Sequence, residues 1–203
     1  MSIFVKICGL RSAEAVKAAI EAGADALGFV FADSPRRIEP EQAAALCAAL
    51  PAGIVRVAVM RDPRRDGWEQ VSRVFRPDWL QAEAEALAGL ELEQQIRPLP
   101  VFRDTPALDE DLAAAEDRLL FEGATSGAGQ RADWARAARL ARRTRLLLAG
   151  GLDPENVADA IARVQPWGVD VSSGVERRRG EKDPARIAAF VAAVRAAETA
   201  YGL

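Results

Sequence analysis

The sequence predicts an α/β protein that folds as one (β/α)8 barrel domain, also called a TIM barrel, over residues 1–203. Short apolar runs alternate with alanine-rich stretches of helical character at about 25 residues per unit, which is typical of parallel βαβ construction. Eight such runs are present, and eight favour a closed ring. A doubly wound open sheet is the alternative, but "CGLRSA" after the first run lacks the glycine pattern of dinucleotide-binding folds.

Each apolar run is short enough to form one strand, and turn-forming or helical residues follow it. Ser12 is predicted to cap the first helix at its N-terminus, and Gly23 to end that helix. Asp153 is predicted to cap a later helix that has Pro154 at its first position. The predicted strands are 3–7, 26–31, 54–60, 78–81, 99–102, 118–121, 145–150 and 168–172.

The composition is that of a globular chain with charges of both signs. Because 27 basic and 30 acidic residues give a formal net charge of -3, and the basic residues are scattered, we expect no nucleic-acid partner. The densest basic run, 177–179, is interpreted as a solvated loop. No run approaches the ~20 apolar residues of a membrane span, and no cleavable signal is evident. We therefore expect no membrane partner and a cytoplasmic location.

The sequence has two cysteines and no histidine, which narrows its chemistry. Cys8 and Cys47 have no metal-ligand spacing and suggest no disulfide framework, so we expect no metal. Without histidine, any proton transfer must use Cys, Asp, Glu, Lys or Tyr201. Cys47 lies in an alanine-rich helical stretch and is interpreted as a packed core residue.

In a barrel of this kind, catalytic groups lie at the C-terminal ends of the strands. Alternation along the first strand turns Lys6 and Cys8 inward, with Cys8 at the mouth, and alternation along the last strand turns Asp170 and Ser172 inward. The first and last strands of a ring are neighbours, so Lys6 and Asp170 are predicted to pair. That pair is either structural or a ligand contact. Cys8 is either a packed thiol or a functional one that the lysine shifts towards the thiolate.

Other strand ends carry residues suited to an anionic substrate. Arg36, in the loop after the second strand, is placed to hold an anion by a bidentate contact. Glu122 offers a carboxylate at the end of the sixth strand, before a glycine-rich loop. Glycines and hydroxyls fill the seventh and eighth loops, where barrels usually bind phosphate, although ordinary tight turns are the alternative. The candidate phosphate-binding residues are Gly150, Gly151, Ser172, Ser173 and Gly174.

Three stretches carry a resemblance to a known family: "VKICGLRSAEAVKAAIEAGADALGFVFADSPRRIEPEQA", "SGAGQRADW", and above all "LAGGLDPENVADAI" with "GVDVSSGVERRRGEKDPARIAAFV". Along nearly its whole length the chain resembles phosphoribosylanthranilate isomerase of tryptophan biosynthesis. The resemblance implies a (β/α)8 barrel without a cofactor. It also implies an Amadori rearrangement of N-(5-phosphoribosyl)anthranilate, a small phosphoribosyl substrate, to 1-(o-carboxyphenylamino)-1-deoxyribulose 5-phosphate.

The resemblance also assigns roles to individual residues. It implies that Cys8 is the general base that removes the proton from C2 of the opened sugar. It implies that a carboxylate at the end of strand six, here Glu122, is the general acid that opens the furanose ring. Arg36 is implied to face the anthranilate carboxylate, and Gln81 and Asp170 to contact the substrate. A monomer or a homodimer is expected.

The chain departs from the family pattern at three places. Glu122 stands where the family has aspartate, Glu83 stands where it has histidine, and "SGAG" replaces a G-G-T-G loop. Two alternatives stay open beside the isomerase. One is a related isomerase with a different or dual phosphosugar substrate, such as the aminoimidazole carboxamide ribotide of histidine biosynthesis. The other is a non-catalytic paralogue that keeps the phosphate site.

Overall fold

The computed structural model describes residues 2–125 and 131–202, and in it eight parallel strands form a closed barrel. Each strand pairs with the next, and the first pairs with the last, so the predicted (β/α)8 fold is confirmed. The strands are β1 Phe4–Cys8, β2 Ala26–Val30, β3 Val55–Val59, β4 Trp79–Glu83, β5 Arg97–Asp104, β6 Arg118–Gly123, β7 Arg145–Leu148 and β8 Gly168–Val171. The helices are α1 Ala13–Ala22, α2 Pro40–Leu46, α3 Trp68–Phe75, α4 Ala84–Leu87, α5 Glu110–Ala114, α6 Trp134–Ala141, α7 Val157–Val164 and α8 Pro184–Tyr201.

Two layers of apolar side chains hold the barrel together. The aliphatic face of β1, with Ile3, Val5 and Ile7, joins the large cluster between strands and helices. A smaller cluster fills the interior, and the stacked rings of Phe4 and Trp167, 4.6 Å apart, belong to its N-terminal end. This aromatic packing fills the N-terminal end of the barrel interior, and the cavity lies at the C-terminal end.

The first helix begins and ends where the sequence predicts. The Ser12 side chain accepts a hydrogen bond from the Ala15 N–H, and Gly23 ends α1 with φ of 90°. The prediction for the seventh helix is wrong by three residues. Asp153 accepts N–H bonds from Glu155 and Asn156 in a turn, so α7 begins after Asn156. The Asp153 side chain stabilises this turn instead of capping α7.

The strand bounds differ from the prediction most clearly in β5, which extends over Arg97–Asp104 instead of 99–102. The longer strand continues the inward alternation of Leu99 and Val101 to Arg103. Arg103 therefore lies at the C-terminal mouth beside the end of β6, where its register partner is Glu122.

A short hairpin covers part of the same mouth. After β8, a 3₁₀ turn at Ser173–Val175 leads into β9 Glu176–Arg178 and β10 Glu181–Lys182, which pair antiparallel. Helix α8 follows directly, with Asp183 accepting N–H bonds at its start. Among the helices that the structure describes, none is long and apolar enough to cross a bilayer.

Candidate active site

A cavity of about 230 Å³ opens at the C-terminal ends of the strands. The structure therefore gathers most of the predicted site residues in one place. Gly174 is the predicted residue that does not line this cavity. The predicted residues that line it are Cys8, Arg36, Gln81, Glu122, Gly150, Gly151, Asp170, Ser172 and Ser173.

On the β1–β8 side, the predicted pair between Lys6 and Asp170 is present. The Lys6 Nζ donates to an Asp170 carboxylate oxygen at 2.6 Å, and no part of the Lys6 side chain is exposed. Burial would lower the pKa of Lys6, but Asp170 and Cys8 outweigh it and the net pKa is raised. Lys6 therefore stays charged in the barrel interior, where an unpaired ammonium would be costly.

Cys8 is 7% exposed and ends β1 at the cavity wall. Burial raises the pKa of its thiol above the ordinary value of 9.0, and although Lys6 and Lys182 favour the thiolate, the net direction is upward. Lys6 acts on the Cys8 pKa in the direction that the sequence suggested, but it does not bring that pKa below its ordinary value. Depth in the barrel outweighs the lysine charge, because a thiolate loses its hydration there.

Lys182 lies behind Cys8, at a position to which the sequence analysis assigned no role. Its Nζ donates to the Ser172 carbonyl at 2.8 Å and to a Glu176 oxygen at 2.9 Å. The Ser172 hydroxyl in turn donates to the Cys8 carbonyl at 3.2 Å. This chain of bonds ties the eighth loop to the end of β1. The signal that could have found Lys182 was the "KD" pair in the quoted C-terminal motif.

Arg36 enters the cavity from the second loop with one edge already occupied. Its Nε and Nη2 donate to the two Glu176 oxygens at 2.7 and 3.0 Å. Burial opposes ionisation of Glu176, but Arg36 and Lys182 lower its pKa to about 2. The sequence suggested a bidentate contact between Arg36 and an anion, and such a contact through Nε and Nη2 would have to displace Glu176. Within residues 2–125 and 131–202, the Arg36 nitrogens that bond to Glu176 are Nε and Nη2, so the edge that carries Nη1 is the one that could face a ligand.

On the opposite side of the cavity, Glu122 is held next to Arg103. The Arg103 Nη1 lies 3.0 Å from a Glu122 oxygen as an ion pair. The Arg103 Nε donates to both oxygens of Glu83 at 3.2 Å, and its Nη2 also pairs with Glu83. Glu83 stands out in the sequence, whereas Arg103 was not predicted as a site residue, because the predicted fifth strand ends one residue before it.

The Glu122 side chain is only 15% exposed, and its environment raises the pKa of the carboxyl. Burial raises its pKa above the ordinary 4.5. Arg103 opposes that rise, Asp170 and Glu83 add to it, and Lys6 opposes it. A carboxyl group with a raised pKa can carry a proton to a substrate more readily than a surface carboxylate can.

Gln81, which is 7% exposed, lies on the floor of the cavity next to these charges. Its side-chain oxygen is buried and accepts no hydrogen bond from any residue in 2–125 or 131–202. A buried amide oxygen without a donor costs free energy, so this atom is suited to accept a bond from a ligand hydroxyl or amine.

The seventh loop owes its shape to two consecutive left-handed glycines. Gly150 has φ of 85° and Gly151 has φ of 66°, a backbone that other residues rarely adopt. The Asn156 side chain donates to the Gly151 carbonyl at 2.8 Å and accepts from the Asp153 N–H at 3.0 Å. These two bonds hold the loop at the cavity rim.

In the eighth loop, Ser173 is exposed at the cavity rim and Gly174 lies against the seventh loop. A Cβ on Gly174 would lie 1.9 Å from the Leu152 carbonyl oxygen, so only glycine allows the two loops to approach this closely. In the basic run 177–179, Arg177 and Arg178 pair with Glu181, while Arg179 lines the cavity mouth. The glycine-rich stretch 126–130 lies outside the described residues.

Comparison with known proteins identifies the family. A family model described as N-(5'phosphoribosyl)anthranilate (PRA) isomerase matches residues 5–193. The chain belongs to this isomerase family. A relative from Roseiflexus sp. (strain RS-1), named N-(5'-phosphoribosyl)anthranilate isomerase, is 44% identical over 215 residues, which cover 96% of this chain and 99% of the relative. A relative of the same name from Pseudomonas fluorescens (strain Pf0-1) is 42% identical, over 94% of this chain and 97% of the relative.

Solved structures of phosphoribosyl anthranilate isomerases share the barrel. The Thermus thermophilus enzyme superposes with a TM-score of 0.83 at 32% identity, over 96% of this chain and 99% of that one. An isomerase in complex with reduced 1-(o-carboxyphenylamino)-1-deoxyribulose 5-phosphate has a TM-score of 0.80 at 32% identity, over 99% and 100% of the two chains. The predicted family, fold and isomerase class are confirmed.

The two sides of the cavity differ in the residues that the resemblance covers. The β1, β7 and β8 ends carry the quoted motifs, while the β4 and β6 ends carry Glu83 and Glu122. Arg103 joins these two carboxylates into one cluster.

Proposed function

We propose that the protein catalyses the Amadori rearrangement of N-(5-phosphoribosyl)anthranilate to 1-(o-carboxyphenylamino)-1-deoxyribulose 5-phosphate. One observation carries this proposal: Cys8 at the end of β1 and Glu122 near the end of β6 line the same cavity. Asp170, Gln81 and the seventh and eighth loops line the cavity around them. An aldose-to-ketose shift needs one acid and one base around the sugar carbons, and this cavity supplies both without histidine.

In the first step, the Glu122 carboxyl donates its proton to the furanose ring oxygen. The bond between C1 and that oxygen breaks, and the lone pair of the anthranilate nitrogen forms a C1–N double bond, which gives an open-chain Schiff base cation. Burial favours the protonated carboxyl before the reaction. After proton donation, the Arg103 guanidinium, 3.0 Å away, stabilises the carboxylate that is left.

In the second step, the Cys8 thiolate removes the proton from C2. The electrons of the C2–H bond form a C1–C2 double bond, the nitrogen recovers its lone pair, and the resulting enolamine tautomerises to the ketone. Lys6 and Lys182 both favour the thiolate against burial. Because Lys6 is tied to Asp170 at 2.6 Å, its charge stays fixed beneath the thiol.

The remaining residues are proposed to bind the two ends of the substrate. The anthranilate carboxylate would lie at the Nη1 edge of Arg36, whose other edge Glu176 holds. The phosphate would lie at the seventh and eighth loops, at Gly150, Gly151 and the Ser172–Gly174 segment. Gln81 would accept a bond from a sugar hydroxyl or the bridging amine. These contacts would hold both ends of the substrate while the ring opens.

We predict that the protein is either a monomer or a homodimer. A solved structure described as monomers generated from the dimeric isomerase of Thermotoga maritima shares 31% identity and a TM-score of 0.80, over 96% of this chain and 99% of that one. Sedimentation equilibrium of the purified chain would decide between the two states.

The experiment that tests the function is turnover of N-(5-phosphoribosyl)anthranilate by the purified protein, followed by loss of anthranilate fluorescence. We expect multiple turnovers, and growth of a tryptophan auxotroph that lacks this isomerase. Rescue of a histidine auxotroph would instead indicate a different or dual substrate. Binding of the reduced product analogue without any fluorescence loss would contradict the proposal and identify a non-catalytic phosphate-binding relative.

A further inference from the structure

Three charged side chains meet where β4, β5 and β6 end. Glu83 is the last residue of β4, while Arg103 and Glu122 are the penultimate residues of β5 and β6. Glu122 is the register partner of Arg103, and Glu83 is the register partner of Val101, two residues before Arg103. Arg103 therefore stands between two carboxylates, and all three side chains line the cavity.

The guanidinium of Arg103 makes a different kind of contact with each of its two partners, Glu83 and Glu122. Its Nε and Nη2 edge faces Glu83 and makes hydrogen bonds with both carboxylate oxygens. Its Nη1 lies 3.0 Å from Glu122, but this buried atom completes no hydrogen bond with any described residue. Glu83 thus anchors the guanidinium by a two-point contact. The remaining nitrogen, Nη1, interacts with the Glu122 carboxylate through charge.

This arrangement contributes to the charge balance of Glu122. Burial has the largest effect and raises the pKa of the carboxyl; Arg103 from β5 opposes it, Asp170 from β8 and Glu83 from β4 add to it, and Lys6 from β1 opposes it. Within the cluster itself, Arg103 lies against both carboxylates. The Glu83 anion therefore favours a proton on Glu122, and the Arg103 cation opposes it.

We propose that Arg103, anchored by Glu83, is a positioning residue that holds the Glu122 carboxyl at the cavity wall and balances its charge between the acid and carboxylate forms. The inference rests on the proposed role of Glu122 as the general acid. A longer glutamate arm has more conformations than aspartate has, and an adjacent fixed cation restricts them.

The decisive measurement is a ¹³C NMR pH titration of the Glu122 carboxyl in the unliganded protein, with the signal assigned by its loss in Glu122→Gln. Arg103→Met removes the cation, so the midpoint of Glu122 should rise by about 1 pH unit. Glu83→Gln removes the anion that offsets Arg103, so the midpoint should fall by a similar amount. Opposite shifts in the two variants are the expected result.

Arg56→Met is the matched control. Arg56 forms a two-point pair with Asp78, with distances of 3.0 and 2.9 Å, at the N-terminal ends of β3 and β4. Arg56→Met removes a comparable two-point ion pair that lies far from the cavity. We therefore expect the titration midpoint of Glu122 and the kcat to stay unchanged. Shifts in the same direction in Arg103→Met and Glu83→Gln, or no shift in either, would overturn the charge balance.

Kinetics test the positioning. Arg103→Met should lower kcat by about 10-fold to 100-fold with little change in KM, and Arg103→Lys should recover part of the loss. Unchanged kcat in Arg103→Met would overturn the positioning role, whatever the titration shows. If Arg103→Met does not fold, Glu83→Gln alone decides, by a downward shift or its absence. The titration needs no substrate, whereas loss of turnover in Glu122→Gln tests the acid role, so the two proposals can fail separately.

Discussion

The two sides of the cavity present their reacting groups in different ways. On the β1–β8 side, Cys8 lies near Lys6 and Lys182, and the Lys6–Asp170 bond across the barrel seam is 2.6 Å long. On the β4–β6 side, Glu122 faces an arginine that it shares with Glu83. The proposed base therefore depends on cations that each have a carboxylate partner of their own. The proposed acid depends on one guanidinium that two carboxylates share.

The largest expected effect is the loss of the base. Cys8→Ser should lower kcat by about 1,000-fold, because a serine hydroxyl does not ionise in the working pH range and general base catalysis is worth 10²–10⁴-fold. The fold should be retained, since the two side chains have similar size. Cys47→Ser is the matched control and should keep wild-type kcat, because Cys47 lies at the end of α2, away from the cavity. Near-wild-type kcat in Cys8→Ser would refute the base assignment.

On the acid side, the length of the carboxylate arm should matter less than its ability to donate a proton. Glu122→Gln should lower kcat by about 100-fold or more, whereas Glu122→Asp should lower it by about 10-fold, since only the distance to Arg103 and to the ring oxygen changes. Steady-state kinetics measures both. An equal loss of kcat in the two variants would show that the position of the carboxyl group matters and that proton donation does not.

The next effect concerns stability on the base side. Lys6→Met leaves the Asp170 carboxylate without its partner in the interior, which should lower the free energy of unfolding by about 3–5 kcal/mol. Adding Asp170→Asn to this variant should recover part of the loss, because the amide carries no charge. Urea unfolding measures both variants. A loss below about 1 kcal/mol in Lys6→Met would show that the pair is not needed to keep Asp170 in the barrel.

The smallest expected effect is a pH dependence of stability at the Arg36–Glu176 contact. The pKa of Glu176 is lowered to about 2 in the folded protein, as Arg36 and Lys182 outweigh its burial. The stability that ionised Glu176 contributes is therefore fully present above the ordinary carboxyl pKa and is lost as the pH falls towards about 2. In Glu176→Gln, melting temperatures measured from about pH 5 to pH 2 should fall less steeply than in the wild type. An equal slope would contradict this contribution.

The base side could be predicted from the sequence because strand alternation and ring closure determine it. Alternation turns Lys6 and Cys8 inward, and the adjacency of the first and last strands in a ring brings Asp170 to Lys6. The direction of the Cys8 pKa could not be predicted in this way. It depends on how deeply the thiol is buried, which no local pattern encodes.

The acid side was harder to predict because its charged residues extend the strands beyond their apolar runs. Arg103 follows Phe102, where the apolar run of β5 ends, so the predicted strand ended there. Pairing with β6 extends the strand to Arg103, and this tertiary contact is not visible in local propensity. At the seventh loop the limit is local, because Asp153 and Asn156 bond to each other three residues apart and Asn156 takes the position before α7.

The central claim is that Cys8 and Glu122 act as a base and acid pair, and the pH dependence of kcat/KM for the wild type and Glu122→Gln tests it most directly. The active wild-type pair holds one proton, on Glu122, so its kcat/KM should fall on the alkaline side when that last proton is lost. In Glu122→Gln only Cys8 must ionise, so kcat/KM should be lower throughout and should no longer fall on the alkaline side. A Glu122→Gln profile that keeps the wild-type magnitude or the alkaline fall would contradict the account.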